Sequence, residues 1–273
     1  MLLSFSSVAA LTHTWLVIRF TAQGFFRLQW PPQNLALFYP ELLVTHINSV
    51  LALRLQELQR TTKPFNARGS RVIRCDHCLL PKADCICFAK PEPCANSAFL
   101  FLMYTGECFK PTNTGRLIAD VAQDNHAFVW DRTNPDPALL ALLQDERYQP
   151  VVIFPTQYAA PERCINKPAP EPQKKTLFIL LDGTWREAKK MFSKSPYLDK
   201  FPVLGIQPEQ ASNYQLREAA HLHQLCTAEV MIEVLKVDND AKAAAALASY
   251  FATFRKHYMA GKPHLNFIEA AED

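Results

Sequence analysis

The sequence predicts an α/β fold, a parallel sheet preceded by a small cysteine-pinned unit, and three observations predict it. From Ser97 onward, short apolar runs alternate with helical patterns, the rhythm of βαβ units. Immediately upstream stand Cys75, Cys78, Cys85 and Cys87, four thiols within thirteen residues. The chain has 273 residues, 49% of them hydrophobic, enough for one sizeable core plus an appendage.

Taken in order, residues 1–45 read unlike the rest. They are rich in aromatics and short of charges, as an upstream extension from a misassigned start codon would be. Met1–Ile18 opens with no Lys or Arg and is broken by Ser4, Ser6, Ser7, Thr12, His13 and Thr14, so it fits neither an export signal nor a membrane span. The expectation is a cytoplasmic protein with no membrane partner. Residues 46–95 read as a helix, a basic stretch and the cysteine unit. The helix is expected over 41–60, where Leu42, Leu43, Ile47, Val50, Leu51, Leu55 and Leu58 recur at helical spacing. Net charge is only +3, so an anionic partner must be argued from clusters. One exists: Arg54, Arg60, Lys63, Arg68, Arg71 and Arg74 stand against the single acid Glu57. It reads either as a phosphate-neutralising face or as a solvated helix end and linker.

Residues 96–260 carry the main domain, and 261–273 a tail. Strands are expected at 98–103, 127–130, 151–154, 176–181 and 203–206, with helices near 115–123, 137–146, 184–193, 227–237 and 241–257. A proline-rich connection (Pro155, Pro161, Pro168, Pro170, Pro172) reads as one long loop without structure. None of the seven glycines forms G-x-G, which excludes the dinucleotide fingerprint and disfavours nucleoside-triphosphate enzymes.

The cysteines form C-x2-C-x6-C-x-C, a spacing that lets four thiolates converge on one tetrahedral structural zinc. The alternatives are a disulfide pair or reduced thiols without metal. His77 is a weaker substitute ligand and Cys94 a spare. Zinc deaminases also use Cys-x-x-Cys, but no histidine here begins the H-x-E motif they need. A pinned knuckle would present Arg68, Arg71, Arg74 and Lys82 to RNA.

The strand at 176–181 runs into Asp182-Gly183-Thr184-Trp185. Locally, Thr184 and Glu187 read as a capping box, with Asp182 beside the positive end of the helix they start. Ligands of open parallel sheets bind outside the carboxyl ends of the strands, and a carboxylate with an indole there suits a cationic, aromatic ligand. At this motif the sequence resembles the DTW-domain family, most closely its bacterial tRNA-uridine aminocarboxypropyltransferases. The matching pieces are the cysteine array, Lys110-Pro-Thr-Asn-Thr-Gly115-Arg-Leu, Ile153-Phe-Pro155, Asp182-Gly-Thr-Trp185, Tyr214-Gln-Leu-Arg217 and Leu225-Cys-Thr-Ala-Glu229. Cys226 and Val230 depart from the family's L-S-T-x-E-A, and Tyr104 stands where relatives often have His, so it is assigned no role.

The resemblance implies a SPOUT-like parallel sheet with a C-terminal trefoil knot. It also implies S-adenosylmethionine as the aminocarboxypropyl donor, a structural zinc on Cys75, Cys78, Cys85 and Cys87, and tRNA as the partner, with no obligatory protein partner. The implied reaction puts the 3-amino-3-carboxypropyl group on N3 of a uridine, the variable-loop uridine in bacterial relatives, and releases methylthioadenosine. Ile153, Pro155, Trp185, Ala188 and Leu204 would wall the adenosine and methyl group, while Thr114 and Asp182 hold the amino-acid arm. Asp182 is the catalytic candidate. A carboxylate near a helix N-terminus is a weak base, so its arm-binding role ranks ahead of proton removal from N3. Tyr214 and Arg217 are candidates for stacking on the uridine and gripping a phosphate, or else for packing at a helix boundary. Thr227 and Glu229 are expected to cap the next helix, and Arg116, Arg186, Lys189 and Lys190 to widen the basic surface. The rival readings are a SPOUT-like RNA methyltransferase and a non-catalytic zinc-knuckle RNA-binding protein.

Overall fold

A computed structural model describes residues 7–11, 14–18, 46–61, 72–206 and 226–260. Strands Ser7–Leu11 (β1) and Thr14–Ile18 (β2) pair antiparallel, with Ser7 opposite Ile18, inside a unit of their own, Met1–Thr45. The second unit, from His46 on, carries everything else.

That unit is built on a six-stranded, wholly parallel sheet. Its strands are Ala98–Met103 (β3), Asn125–Val129 (β4), Tyr148–Ile153 (β5), Cys164–Ile165 (β6), Lys175–Asp182 (β7) and Val203–Leu204 (β8), in the order β4-β3-β7-β5-β8-β6. The central strands are apolar on both faces because both faces are covered. Phe99, Phe101, Phe178 and Leu180 point into one layer, and Ala98, Leu100, Leu102, Leu177 and Ile179 into the other, as a period of two demands. Each phenylalanine so buried contributes about 2–3 kcal/mol.

Six α-helices among the described residues complete the two layers. The Phe99 side is covered by Ser49–Arg60 (α1), Gly115–Val121 (α2), Thr227–Val237 (α5) and Ala241–Ala260 (α6), and the cysteine segment shares that core through Cys78, Leu80 and Ile86. The other side is covered by Pro137–Leu142 (α3) and Trp185–Ser193 (α4). The expected elements are present, with bounds shifted by a few residues. Two expectations are corrected. The proline-rich connection is not structureless: it makes 3-10 turns at Thr156–Tyr158 and Pro161–Arg163, then β6, which pairs with β8 at the sheet edge. The N-terminal helix begins at Ser49, capped by Asn48, whose Oδ1 accepts from Leu51 N at 3.1 Å. Its inward stripe is Val50 and Leu53, whereas Leu55 and Leu58 face solvent. The expected C-terminal knot is not shown, and residues 207–225, between β8 and α5, lie outside the described residues. No helix among the described residues is long and apolar enough to cross a membrane.

Candidate functional site

Asp182 ends β7, and the strand period turns its side chain to the face of Phe178 and Leu180, where it is 2% exposed. Its Oδ2 accepts from Asn113 Nδ2 at 2.7 Å and its Oδ1 from Thr227 Oγ1 at 3.0 Å. Three segments distant in sequence thus meet on one carboxylate. Gly115 packs so closely that a Cβ there would lie 2.6 Å from Asp182 Oδ2. Thr114 is buried, and its Oγ1 accepts the Ala228 N–H at 3.2 Å, which ties the start of α2 to the first turn of α5. Asn113 also donates to Glu107 Oε1 at 3.4 Å, and the fully buried Glu107 pairs with Lys110 Nζ at 2.5 Å.

The capping box at α4 is present: Thr184 N donates to Glu187 Oε2 at 2.7 Å and Glu187 N to Thr184 Oγ1 at 3.4 Å. Asp182 is no part of it. Its side chain turns to the first turn of α5 instead, through Thr227. Glu229 caps α5 as expected, accepting from Cys226 N at 2.8 Å, but Thr227 is spent on Asp182.

The four cysteines converge. All four sulfurs lie within 4.8 Å of one another, with Cys75–Cys87 at 3.5 Å and Cys78–Cys85 at 3.7 Å. A tetrahedral zinc with bonds of about 2.3 Å separates its sulfurs by about 3.8 Å, whereas a disulfide needs about 2.05 Å. The spacing therefore fits a metal, and all eight cysteines named in this chain are free thiols. Backbone hydrogen bonds hold the loop: Cys75 N donates to Leu80 O at 2.9 Å, Leu79 N to Cys75 O at 3.0 Å, and Leu79 takes a left-handed φ of 57°. Burial pushes the Cys78 and Cys87 thiols up. Burial also disfavours a charge on Cys75, but the backbone N–H groups of Cys78 and His77 and the neighbouring thiols outweigh it and pull that thiol to about 6. Four thiols this close ionise together only around a cation.

The DTW-domain model matches residues 72–259, more than half of the chain. The chain belongs to the DTW-domain family. The match begins beside the knuckle and ends in α6, so the cysteine cluster and the Asp182 site both lie within the DTW domain. The family is associated with tRNA aminocarboxypropyltransferase activity. No solved structure matches the chain.

Within the DTW domain the remaining candidates divide between the two faces of the sheet. Ile153 and Leu204 lie side by side in register on the Asp182 face, 7% and 1% exposed. Trp185 and Ala188 belong to the opposite layer, where the Trp185 ring stacks on Phe154 with centroids 5.5 Å apart and planes 10° from parallel. Pro155, half-buried, sits just past β5. A ligand touching both sets must lie across the carboxyl ends of the strands. There β5 and β8 come close enough that a Cβ on Gly205 would be 2.9 Å from Thr156 N. Tyr214 and Arg217 fall outside the described residues.

The basic residues are also rearranged. Arg116 does not widen the surface: it is 1% exposed, donates to Pro111 O at 3.1 Å, and lies 4.8 Å from the Phe254 ring. Of the upstream basic stretch, Arg54 lies over Phe109, Arg60 pairs with Glu57 of the same helix at 3.0 Å, and Arg74 donates to Leu79 O at 3.2 Å, so each of these three has a partner within the chain. Lys63, Arg68 and Arg71 lie outside the described residues. Sequence reasoning missed Asn113 and Gly115 as the seat of Asp182; the only signal was their place in the K-P-T-N-T-G run.

Proposed function

We propose that this protein transfers the 3-amino-3-carboxypropyl group of S-adenosylmethionine to N3 of a tRNA uridine, in the variable loop as in bacterial relatives. The observation that carries the reading is the buried Asp182 carboxylate, held by Asn113 and Thr227 at the carboxyl end of a central strand in a DTW domain. Ligands of parallel sheets bind at that edge. In the reaction, uridine N3 loses its proton and bonds to the methylene of the amino-acid arm. The bond from that methylene to sulfur breaks, and its electron pair stays on sulfur in neutral methylthioadenosine. Orientation decides which of the three carbons on sulfur reacts, so rigid anchoring of the arm is the main catalytic device.

In this reading Asp182 and Thr114 hold the arm, and Asp182 is second choice as the base for N3. Ile153, Pro155 and Leu204 border the adenosine from one side of the strand ends and Trp185 and Ala188 from the other. Tyr214 and Arg217 meet the uridine and a phosphate. The four cysteines hold a structural zinc, which needs the reduced thiols of the cytoplasm. A SPOUT-like, knotted C-terminal half belongs to the same reading, as does action without an obligatory protein partner.

The test is incubation of the full chain with S-adenosylmethionine and unmodified tRNA transcripts, followed by mass spectrometry of the nucleosides and the spent donor. The expected result is an aminocarboxypropyl adduct on uridine together with methylthioadenosine. A methyl adduct with adenosylhomocysteine would instead make the protein a methyltransferase, and no product would remove the enzymatic reading.

A further inference from the structure

We propose that the outer face of α4 is an RNA-docking surface that grips phosphates with Lys189 and Lys190 and stacks an unpaired base on Tyr158. The inference rests on the RNA-directed reading above and extends it to residues that the reading did not use. Arg186, Lys189 and Lys190 are exposed on a helix that starts beside the Asp182 strand end, and none of them is in an ion pair among the described residues. The one acid in the first turn, Glu187, is turned back onto Thr184 by the capping box. Among the described residues the face is therefore cationic, with no ion pair of its own.

What distinguishes it from a solvated basic helix is the aromatic surface beneath the ammonium groups. Lys189 Nζ lies 4.6 Å from the centre of the Tyr158 ring, which meets Trp185 edge-on at 5.7 Å and is itself 37% exposed. Lys190 Nζ lies 5.6 Å from the Tyr104 ring and donates to its hydroxyl at 3.3 Å, and Tyr104 stacks on Trp130. Each lysine is thus held in place by a ring, which lowers the entropy lost when a phosphate binds. Cations alternating with partly open rings suit a looped or single-stranded nucleic acid: charge for the backbone and π-faces for the bases. A duplex or an acidic protein would use the charges and leave Tyr158 idle.

The experiment measures binding of a fluorescently labelled, unmodified tRNA transcript to the full-length protein over a range of salt, alongside product formation. Three variants are compared with wild type: Lys189→Gln with Lys190→Gln, Tyr158→Ala, and a charge-matched control on the opposite layer, Lys242→Gln with Lys256→Gln. The α4 pair should weaken binding about tenfold and reduce the salt slope by roughly 1.4, since each single-strand phosphate contact accounts for about 0.7. Tyr158→Ala should weaken binding by about tenfold at every salt concentration with the slope unchanged. The control should bind as wild type does. If the α4 pair binds as wild type, or the control loses as much, the surface is wrong, even where wild type still modifies tRNA. If Tyr158→Ala binds as wild type, the face is a general polyanion surface and base stacking is excluded. If the α4 pair and Tyr158→Ala lose binding while wild type makes no aminocarboxypropyl product, the docking surface stands and the proposed reaction falls.

Discussion

Asp182 shows how much one side chain's setting depends on residues far away in the sequence. Asp182→Asn keeps the shape but turns one acceptor into a donor facing Asn113 or Thr227, both of which donate to it. Transfer should fall by at least a hundredfold, while the melting temperature drops by only a few degrees; wild-type turnover would remove the central assignment. Gly115→Ala tests the same seat from behind. Its Cβ would stand 2.6 Å from the carboxylate, so either Asp182 or α2 must shift. Overpacking of this kind costs about 1–3 kcal/mol, and a misplacement near 1 Å costs about a hundredfold in rate. Stability from urea unfolding and single-turnover transfer should both fall, the second by more. Cys108 supplies a pH-dependent residue. Burial first, then the Glu57 charge, push its thiol up from 9.0 to about 11. The folded state therefore keeps this proton longer than the unfolded chain does. Its contribution to stability is complete below pH 9 and disappears as pH rises through 11, a loss of about 3 kcal/mol. Urea unfolding of Cys108→Ala should show a shallower alkaline decline than wild type by about that amount.

At the level of elements, what was legible in the sequence was whatever depends on neighbours along the chain. Short continuous apolar runs placed β3, β5 and β7, the Thr184 and Glu187 pair placed the start of α4, and cysteine spacing placed the knuckle. What was not legible depends on the partner element. Helix α1 carries two apolar stripes, Val50 with Leu53 and Leu51 with Leu55 and Leu58, and only packing against β4 and α2 decides which is buried. Strand β6 has two residues and exists because β8 offers an edge. Asp182 and Trp185 are three residues apart, yet the turn from strand to helix sends them to opposite faces of the sheet. Arg116 reads as a surface charge until α6 supplies the Phe254 ring. The cap of α5 is a similar case, and it is improvable. Cys226 occupies the N-cap, where Ser is among the preferred residues and Cys is not. Burial and the Glu229 charge push its thiol up, so it stays protonated. Cys226→Ser should stabilise α5 by about 0.5–1 kcal/mol and raise the melting temperature by roughly 1–4 °C in calorimetry. An unchanged or lower value would mean that the hydroxyl finds no partner in that pocket.

For the whole molecule, the question is whether the cysteine knuckle is an appendage or part of the fold, and the packing argues for the second. Leu80 and Ile86, both fully buried, share a core with the sheet and α6. His257 Nδ1 in α6 lies 3.2 Å from Asp84 O, and its ring meets Phe88 at 5.8 Å. Just past the knuckle, Lys90 Nζ reaches Asp120 at 3.1 Å, and the same carboxylate accepts from Asn48 at 2.9 Å and Tyr250 at 3.2 Å, joining α1, α2 and α6 at one point. A structural zinc contributes folding free energy outright, because the unfolded chain does not hold the four thiolates together. If the knuckle were independent, chelation would melt it alone and leave the sheet's transition in place. Because its buried side chains are also core residues of the sheet layer, removal of zinc should lower one shared transition. A loss of about 3 kcal/mol or more corresponds to roughly 10 °C in a unit of this size. Scanning calorimetry of zinc-loaded protein with and without a chelator decides between the two. A single transition moved down means that metal, knuckle and Asp182 site form one cooperative unit. A second, low-temperature transition would make the knuckle a separate module, and an unmoved one would mean that the four sulfurs hold no metal.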